Sequence, residues 1–197
     1  MERLSAVYIS GLCNGRLLGG DASVTGIVRD NREIRGGEMF VAIRGEKFDG
    51  HDFAYDAEER GASAVLVSRE ISGLRIPQII VEDTVAALGE IARGYLATLS
   101  LRRVCITGSV GKTTTKEMCA SVLSAAFKTH KTQGNYNNNI GLPLTVFGLD
   151  KSHEAAVFEI GTNHFGEILP LTMIAAPEVA VITTIGASHL EAFGTKE

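Results

Sequence analysis

The chain has 197 residues, 45% of them apolar and 21% charged, with a formal net charge of −4. This profile excludes a disordered chain, and the length allows one large domain or two modest ones with real cores. Residues 1–100 carry 11 Lys and Arg against 15 Asp and Glu, and residues 101–197 carry eight of each, so neither half offers the basic surface that follows a nucleic-acid backbone.

The opening stretch Met1–Gly11 is broken by polar residues and lacks the apolar region of a signal peptide. No run approaches the roughly 18 apolar residues of a membrane span, so the chain is expected to be cytoplasmic and without membrane insertion. Cys13, Cys105 and Cys119 are odd in number and lack C-x-x-C spacing, which fits a reducing compartment. Cys105 within a strand and Cys119 on an apolar helix face are expected to be buried.

Apolar runs at 24–29, 39–43, 64–68 and 78–82 predict short strands. Between them, 52–60 and 84–96 predict helices, the second with Val85, Leu88, Ile91, Ala92 and Tyr95 at helical spacing and Thr84 as its N-cap. Gly36-Gly37 and Gly45–Gly50 read as turns, and Asp49-Gly50-His51 as a turn with an N-cap. Residues 1–98 thus form a small α/β domain, joined near Ser100–Arg103 to a second domain over 99–197.

The second domain alternates strictly. A strand at Val104–Thr107 precedes a helix at Thr113–Phe127, whose apolar stripe is Met118, Val122, Leu123 and Ala126. A strand at Ala155–Ile160 precedes a helix near Phe165–Ile174, and a strand at Val179–Thr184 leads into Ser188-His189-Leu190-Glu191. Near-continuous apolar strands alternating with helices predict a parallel sheet covered on both faces, so the fold class is α/β throughout.

Residues 107–115 read Thr-Gly-Ser-Val-Gly-Lys-Thr-Thr-Thr, where a strand empties into a glycine-bearing loop that opens a helix. Such a loop turns backbone N–H groups toward a polyphosphate, the helix adds its positive end, Lys112 adds a point charge, and the Thr113 hydroxyl suits Mg²⁺. Ile106 stands where the general P-loop pattern has its first glycine, so this is the shorter Gly-x-x-Gly-Lys-Thr form. Ligands of open parallel sheets bind beyond the carboxyl ends of the strands. Glu159, followed by Asn163, and His189 occupy such ends beside the loop. A carboxylate on a strand buried on both faces needs a metal or a cation as partner. The polar loop Gln133–Pro143 reads by composition as asparagine turns.

Together these segments resemble the Mur ligase family of peptidoglycan synthesis. The carrying motifs are TGSVGKTTTKE at 107–117, GNYNNNIGLPLT at 134–145, EIGTNHFGEI at 159–168 and SHLEAFG at 188–194, with 29–53 similar to the family's UDP-precursor-binding domain. The segments at 134–145, 159–168 and 188–194 look most like those of members joining D-alanyl-D-alanine to UDP-N-acetylmuramoyl-tripeptide. The resemblance implies a small UDP-precursor-binding domain followed by a truncated parallel-sheet P-loop ATPase domain, with ATP and Mg²⁺ as cofactors. It implies an acyl phosphate on the tripeptide carboxylate, attacked by the dipeptide amine. Thr107, Gly108, Ser109, Val110, Gly111, Lys112, Thr113 and Thr114 would hold ATP. Lys112, Glu159 and His189 would be catalytic, and Thr113, Glu159 and His189 would ligate metal. Asp30, Asn31, Arg32, Asn135 and Asn138 would hold the UDP precursor.

Two departures from the family pattern are Asn31, where Asp-Ser-Arg is usual, and Gly36-Gly37-Glu38, where Pro-Gly-Asp is usual. The family's carbamylated lysine and its C-terminal domain, which receives the dipeptide, are not in the sequence, and Lys196 has the wrong spacing. The chain is therefore expected to be an N-terminal fragment, inactive alone. Alternatives are a sister ligase adding the diamino acid, or a non-catalytic UDP-precursor or nucleotide-binding module.

Overall fold

A computed structural model describes residues 1–186, and the chain divides into two units, Met1–Ile91 and Ala92–Glu197. In the first unit, three elements precede the first predicted strand. Leu4–Ser5 (β1) runs into the helix Ala6–Leu12 (α1), where the Ser5 hydroxyl accepts from the N–H of Tyr8 as N-cap. Arg16–Leu18 (β2) follows.

The apolar run at 24–29 is two strands, Ser23–Val24 (β3) and Gly26–Val28 (β4), serving different sheets. β3 pairs with β1, while the N–H of Thr25 crosses to the carbonyl of Gly37 at 2.9 Å. Glu38–Val41 (β5), Ala64–Val67 (β6) and Gln78–Ile80 (β7) complete a five-stranded sheet ordered β2-β7-β6-β5-β4, parallel except for β2. One side chain face of this sheet, with Phe40, Ala42, Val65 and Val67, packs with Ile34, Ala57 and Ala62 into a core. Ala57 comes from the helix Ala54–Glu59 (α2).

Thr84–Leu96 (α3) is helical as its spacing predicts, but Thr84 is not its cap. The Asp83 carboxylate accepts from the N–H groups of Val85 and Ala86 at 2.7 and 3.1 Å. Thr84 is buried, and its hydroxyl donates to the carbonyl of Ala42. Two adjacent cap-competent residues made the sequence ambiguous, and the demand of a buried hydroxyl for a partner decided between them.

The second unit holds four parallel strands, Arg102–Thr107 (β8), Thr129–Lys131 (β9), Ala155–Glu159 (β10) and Val179–Ile182 (β11), in the order β11-β8-β10-β9. Lys112–Ser124 (α4), Gly141–Phe147 (α5) and Ile168–Ala175 (α6) connect them. Val104, Ile106, Val157 and Val181 of the sheet meet Cys119, Ala120 and Leu123 of α4. The predicted α4 stripe is thereby corrected: Met118 and Val122 are 66% and 73% exposed, Ala126 is exposed, and the buried face runs through Lys116 and Ala120. A lysine at the centre of the buried face hid it from a reading of apolar letters. Cys105 is buried, and burial pushes its thiol up to about 12; Cys119 is only half-buried.

α5 lies where the sequence reads as a polar loop. Its proline, Pro143, sits in the first turn, where no intrahelical N–H is needed. Among the described residues no helix is long and apolar enough to cross a membrane.

Candidate nucleotide site

The chain leaves β8 outward to β9, returns to β10, then crosses to β11 on the far side of β8. A crevice therefore opens between the carboxyl ends of β8 and β10, the place where open α/β sheets receive ligands. The P-loop continues from Thr107 there, and Glu159 stands opposite Ile106 on the neighbouring strand.

The loop needs both glycines. Gly108 has φ +135°, and a Cβ there would lie 2.2 Å from Thr183 Oγ1; Gly111 has φ +86° and caps α4. Residues after β11 brace the loop. Ser109 N–H donates to the carbonyl of Thr184 and Val110 N–H to the Thr184 hydroxyl, while the Thr183 hydroxyl donates to the carbonyl of Val110. Ser109 Oγ also accepts from the N–H of Gly186 at 2.9 Å. Two loop N–H groups expected to face phosphate are thus bonded to protein. Anion-binding capacity rests on the first-turn N–H groups of α4, which have no partner within a helix. Lys112 Nζ lies over the loop, donating to the carbonyl of Gly108 at 2.6 Å.

Glu159 is 3% exposed and fully engaged. Its Oε2 accepts from the Thr113 hydroxyl at 2.9 Å, and its Oε1 from the Asn137 amide at 2.9 Å. Lys116 Nζ lies 3.8 Å from Oε2. The backbone N–H of Glu159 donates to the hydroxyl of Thr132, a residue with no exposed surface. The buried carboxylate has its cation within the protein. Hydroxyl and carboxylate side by side are the hard oxygen donors that Mg²⁺ takes, and that ion usually completes its shell with phosphate and water. Among the described residues no group of three or more His, Cys, Asp or Glu stands together as a metal site.

The asparagine loop is docked here by Asn137. Its carbonyl accepts from Gly161 N–H at 2.8 Å, and a Cβ on Gly161 would strike its side chain at 2.9 Å. Asn135 is exposed, whereas the Asn138 carboxamide oxygen is committed to capping α5, accepting from Ile140 and Gly141. Glu167 organises the segment after β10. It accepts from the N–H groups of Asn163 and His164, which hold its carboxyl down at about 2. His189 lies outside the described residues.

In the first unit, Asp30 caps a 3₁₀ turn over Asn31–Glu33 and pairs with Arg32 at 2.6 Å, which lowers its carboxyl to about 2. Asn31 does not present its amide outward; it donates to Asp56, which also binds Arg60. Glu38 accepts from the N–H groups of Arg35 and Gly36, so the turn is closed by a carboxylate despite the lost proline. Asp49 caps the next 3₁₀ turn and pairs with buried His51 at 2.5 Å. His51 Nε2 accepts from the N–H of Ser68 at 2.8 Å, which leaves the ring proton on Nδ1 facing Asp49.

Two family profiles match this chain, the Mur ligase middle domain over residues 106–197 and the Mur ligase family catalytic domain over residues 23–96. The chain belongs to the Mur ligase family. It is 43% identical over 195 residues to the UDP-N-acetylmuramoyl-tripeptide–D-alanyl-D-alanine ligase of Escherichia coli, covering 99% of this chain and 43% of that relative. A crystal structure of MurF from Acinetobacter baumannii superposes with a TM-score of 0.91 at 37% identity, covering 100% of this chain and 44% of that one. The structure of MurF ligase from Thermotoga maritima in complex with ADP gives a TM-score of 0.81 at 40% identity, over 87% of this chain and 40% of that one. The chain thus spans less than half the length of these relatives. Lys116, Asn137, Thr132 and the Thr183-Thr184 brace contact Glu159 or the loop of this candidate site, and the sequence reading did not single them out. A charged residue one turn into α4 on the Thr113 face was the one available signal.

Proposed function

We propose that this chain supplies the precursor-binding and nucleotide-binding units of an ATP-dependent ligase that joins D-alanyl-D-alanine to UDP-N-acetylmuramoyl-tripeptide. The observation that carries this reading is the Thr113–Glu159 pair at 2.9 Å, set beside the Lys112 loop at the β8–β10 crevice. In the reaction, the tripeptide carboxylate attacks the γ-phosphorus of ATP and ADP leaves. The dipeptide amine then attacks the acyl carbon, phosphate departs, and the nitrogen loses a proton.

The chain's part is positioning and electrostatics. Lys112 swings from the Gly108 carbonyl to the transferred phosphoryl group, and the first turn of α4 holds the β-phosphate. Thr113 and Glu159 would hold Mg²⁺, which neutralises phosphate charge when bound. His189 would serve a second metal, and Asn135 a phosphate. Asp30, Asn31 and Arg32 would hold the precursor, with Arg32 the exposed cation of their turn at 79% side-chain exposure and the Asn31 amide engaged by Asp56.

Calorimetry on this chain tests the reading. Mg·ADP should bind, and Glu159→Gln should weaken it. UDP-N-acetylmuramoyl-tripeptide should bind more tightly than the UDP-dipeptide that a sister ligase would extend, and Arg32→Ala should weaken it. Equal affinity for both precursors would favour the sister reading, and no nucleotide binding would remove the ligase assignment.

A further inference from the structure

Lys116 is 1% exposed, the most deeply buried charged side chain among the described residues. It shares a helical face with Thr113 and Ala120, which turns it toward the sheet. Ala120 shows that a small apolar residue packs well on this face. A buried ammonium there is costly, since it loses hydration that an ion pair only partly returns.

Its partners form a line of alternating charge. Lys131 of β9 pairs with Glu117, Glu117 lies 3.2 Å from Lys116, and Lys116 lies 3.8 Å from Glu159 Oε2. The last distance is beyond a hydrogen bond. The orientation of Glu159 comes instead from Thr113 and Asn137, each at 2.9 Å. Lys116 therefore contributes charge to this site, and its neighbours contribute geometry.

We infer that Lys116 is a resident counter-cation for Glu159, balancing its charge so that a divalent metal enters only together with nucleotide phosphate. This rests on the nucleotide-site reading above. A free dication approaching the crevice meets one carboxylate already compensated by an ammonium, and in a low-dielectric setting that repulsion is strong. A nucleotide diphosphate adds the negative charge that tips the balance. Lys116 acts through Glu159, so it is a positioning residue.

The test is Mn²⁺ titration of the 197-residue chain, with free ion read by electron paramagnetic resonance, with and without ADP. Wild type should bind Mn²⁺ with ADP and show no comparable site without it. Lys116→Met should tighten nucleotide-free Mn²⁺ binding at least tenfold, and Glu159→Gln in that background should erase the gain. Lys116→Arg should behave as wild type. A purely structural lysine would not improve metal affinity on removal. Unchanged nucleotide-free affinity in Lys116→Met, with its circular dichroism spectrum and melting intact, overturns the inference. So does wild-type Mn²⁺ binding that is equally tight without ADP and lost in Glu159→Gln, a measurement independent of how Lys116→Met folds. Absence of Mn²⁺ binding even with ADP refutes the nucleotide-site reading itself, and this inference with it.

Discussion

Replacing Gly108 by alanine separates two reasons for a glycine, backbone conformation and close approach. Gly134 provides the control, with φ +51° and nothing within 4 Å of a built Cβ. Gly134→Ala should therefore cost only the left-handed strain, roughly 1–2 kcal/mol. At Gly108 the conformational cost is about 1–3 kcal/mol. The new Cβ would also lie 2.2 Å from Thr183 Oγ1 and 3.0 Å from the nitrogens of Thr183 and Thr184. Two of these three atoms belong to backbone, so segment 183–184 must move. That strains the bonds Thr183 N–H to Thr107 O and Ser109 N–H to Thr184 O, each 2.9 Å, and Thr183 Oγ1 to Val110 O, 2.7 Å. At about 0.5–1.5 kcal/mol apiece the three add roughly 1.5–4.5 kcal/mol. Urea unfolding followed by circular dichroism should place Gly108→Ala below Gly134→Ala. Hydrogen exchange should accelerate at Ser109 and Thr183 in the first variant only. Equal destabilisation with unchanged exchange at those amides would show that the β11 brace does not fix Gly108.

Lys112→Ala should weaken Mg·ADP binding to this chain by roughly tenfold to a hundredfold, the worth of a charge-assisted hydrogen bond, and calorimetry that finds wild-type affinity would leave the lysine without a role in binding. Glu167 titrates below its ordinary value of 4.5, at about 2, because the N–H groups of Asn163 and His164 favour its charged form. The folded loop thus binds that proton less tightly than the unfolded chain, so its stabilisation is complete above about 4.5 and is lost as pH falls toward about 2. Exchange at Asn163 and His164 should rise in that window in wild type and already be fast at neutral pH in Glu167→Ala; a flat wild-type profile would refute it. β11 leaves Val179 and Ile182 54% and 63% exposed and has no strand on its outer side among the described residues. Concentration-dependent association is expected on size exclusion, relieved by Ile182→Lys, and an elution volume independent of concentration in wild type would exclude the edge as a contact.

The large elements were legible because their signals are local and redundant. β10 reads as five consecutive apolar or strand-end residues and is buried along its whole length, and α3 carries its apolar spacing over three turns. Short elements were not. β2 and β9 have three residues each and depend on pairing with a strand distant in sequence. α5 begins among asparagines and carries a proline, both loop signals, and is helical because Asn138 caps it and its apolar residues are buried. The split of 24–29 into strands of two sheets has no sequence marker at all, since Thr25 leaves one sheet for the other through a bond to Gly37.

The site divides along the same line. The loop, Thr113 and Glu159 could be read because a strand, a turn and a helix in register impose their positions. The argument that a buried carboxylate needs a metal or a cation as partner left the choice open, and Lys116 at 3.8 Å is a cation that the chain itself supplies. Which lysine of a helix turns inward depends on the face the sheet covers, and α4 conceals that face by exposing Met118 and Val122. Likewise the three asparagines at 137–139 are interchangeable as letters, but only Asn137 reaches Glu159 while Asn138 caps a helix. Elements place the reactive groups, and tertiary packing then selects, among chemically equivalent neighbours, the ones that hold them.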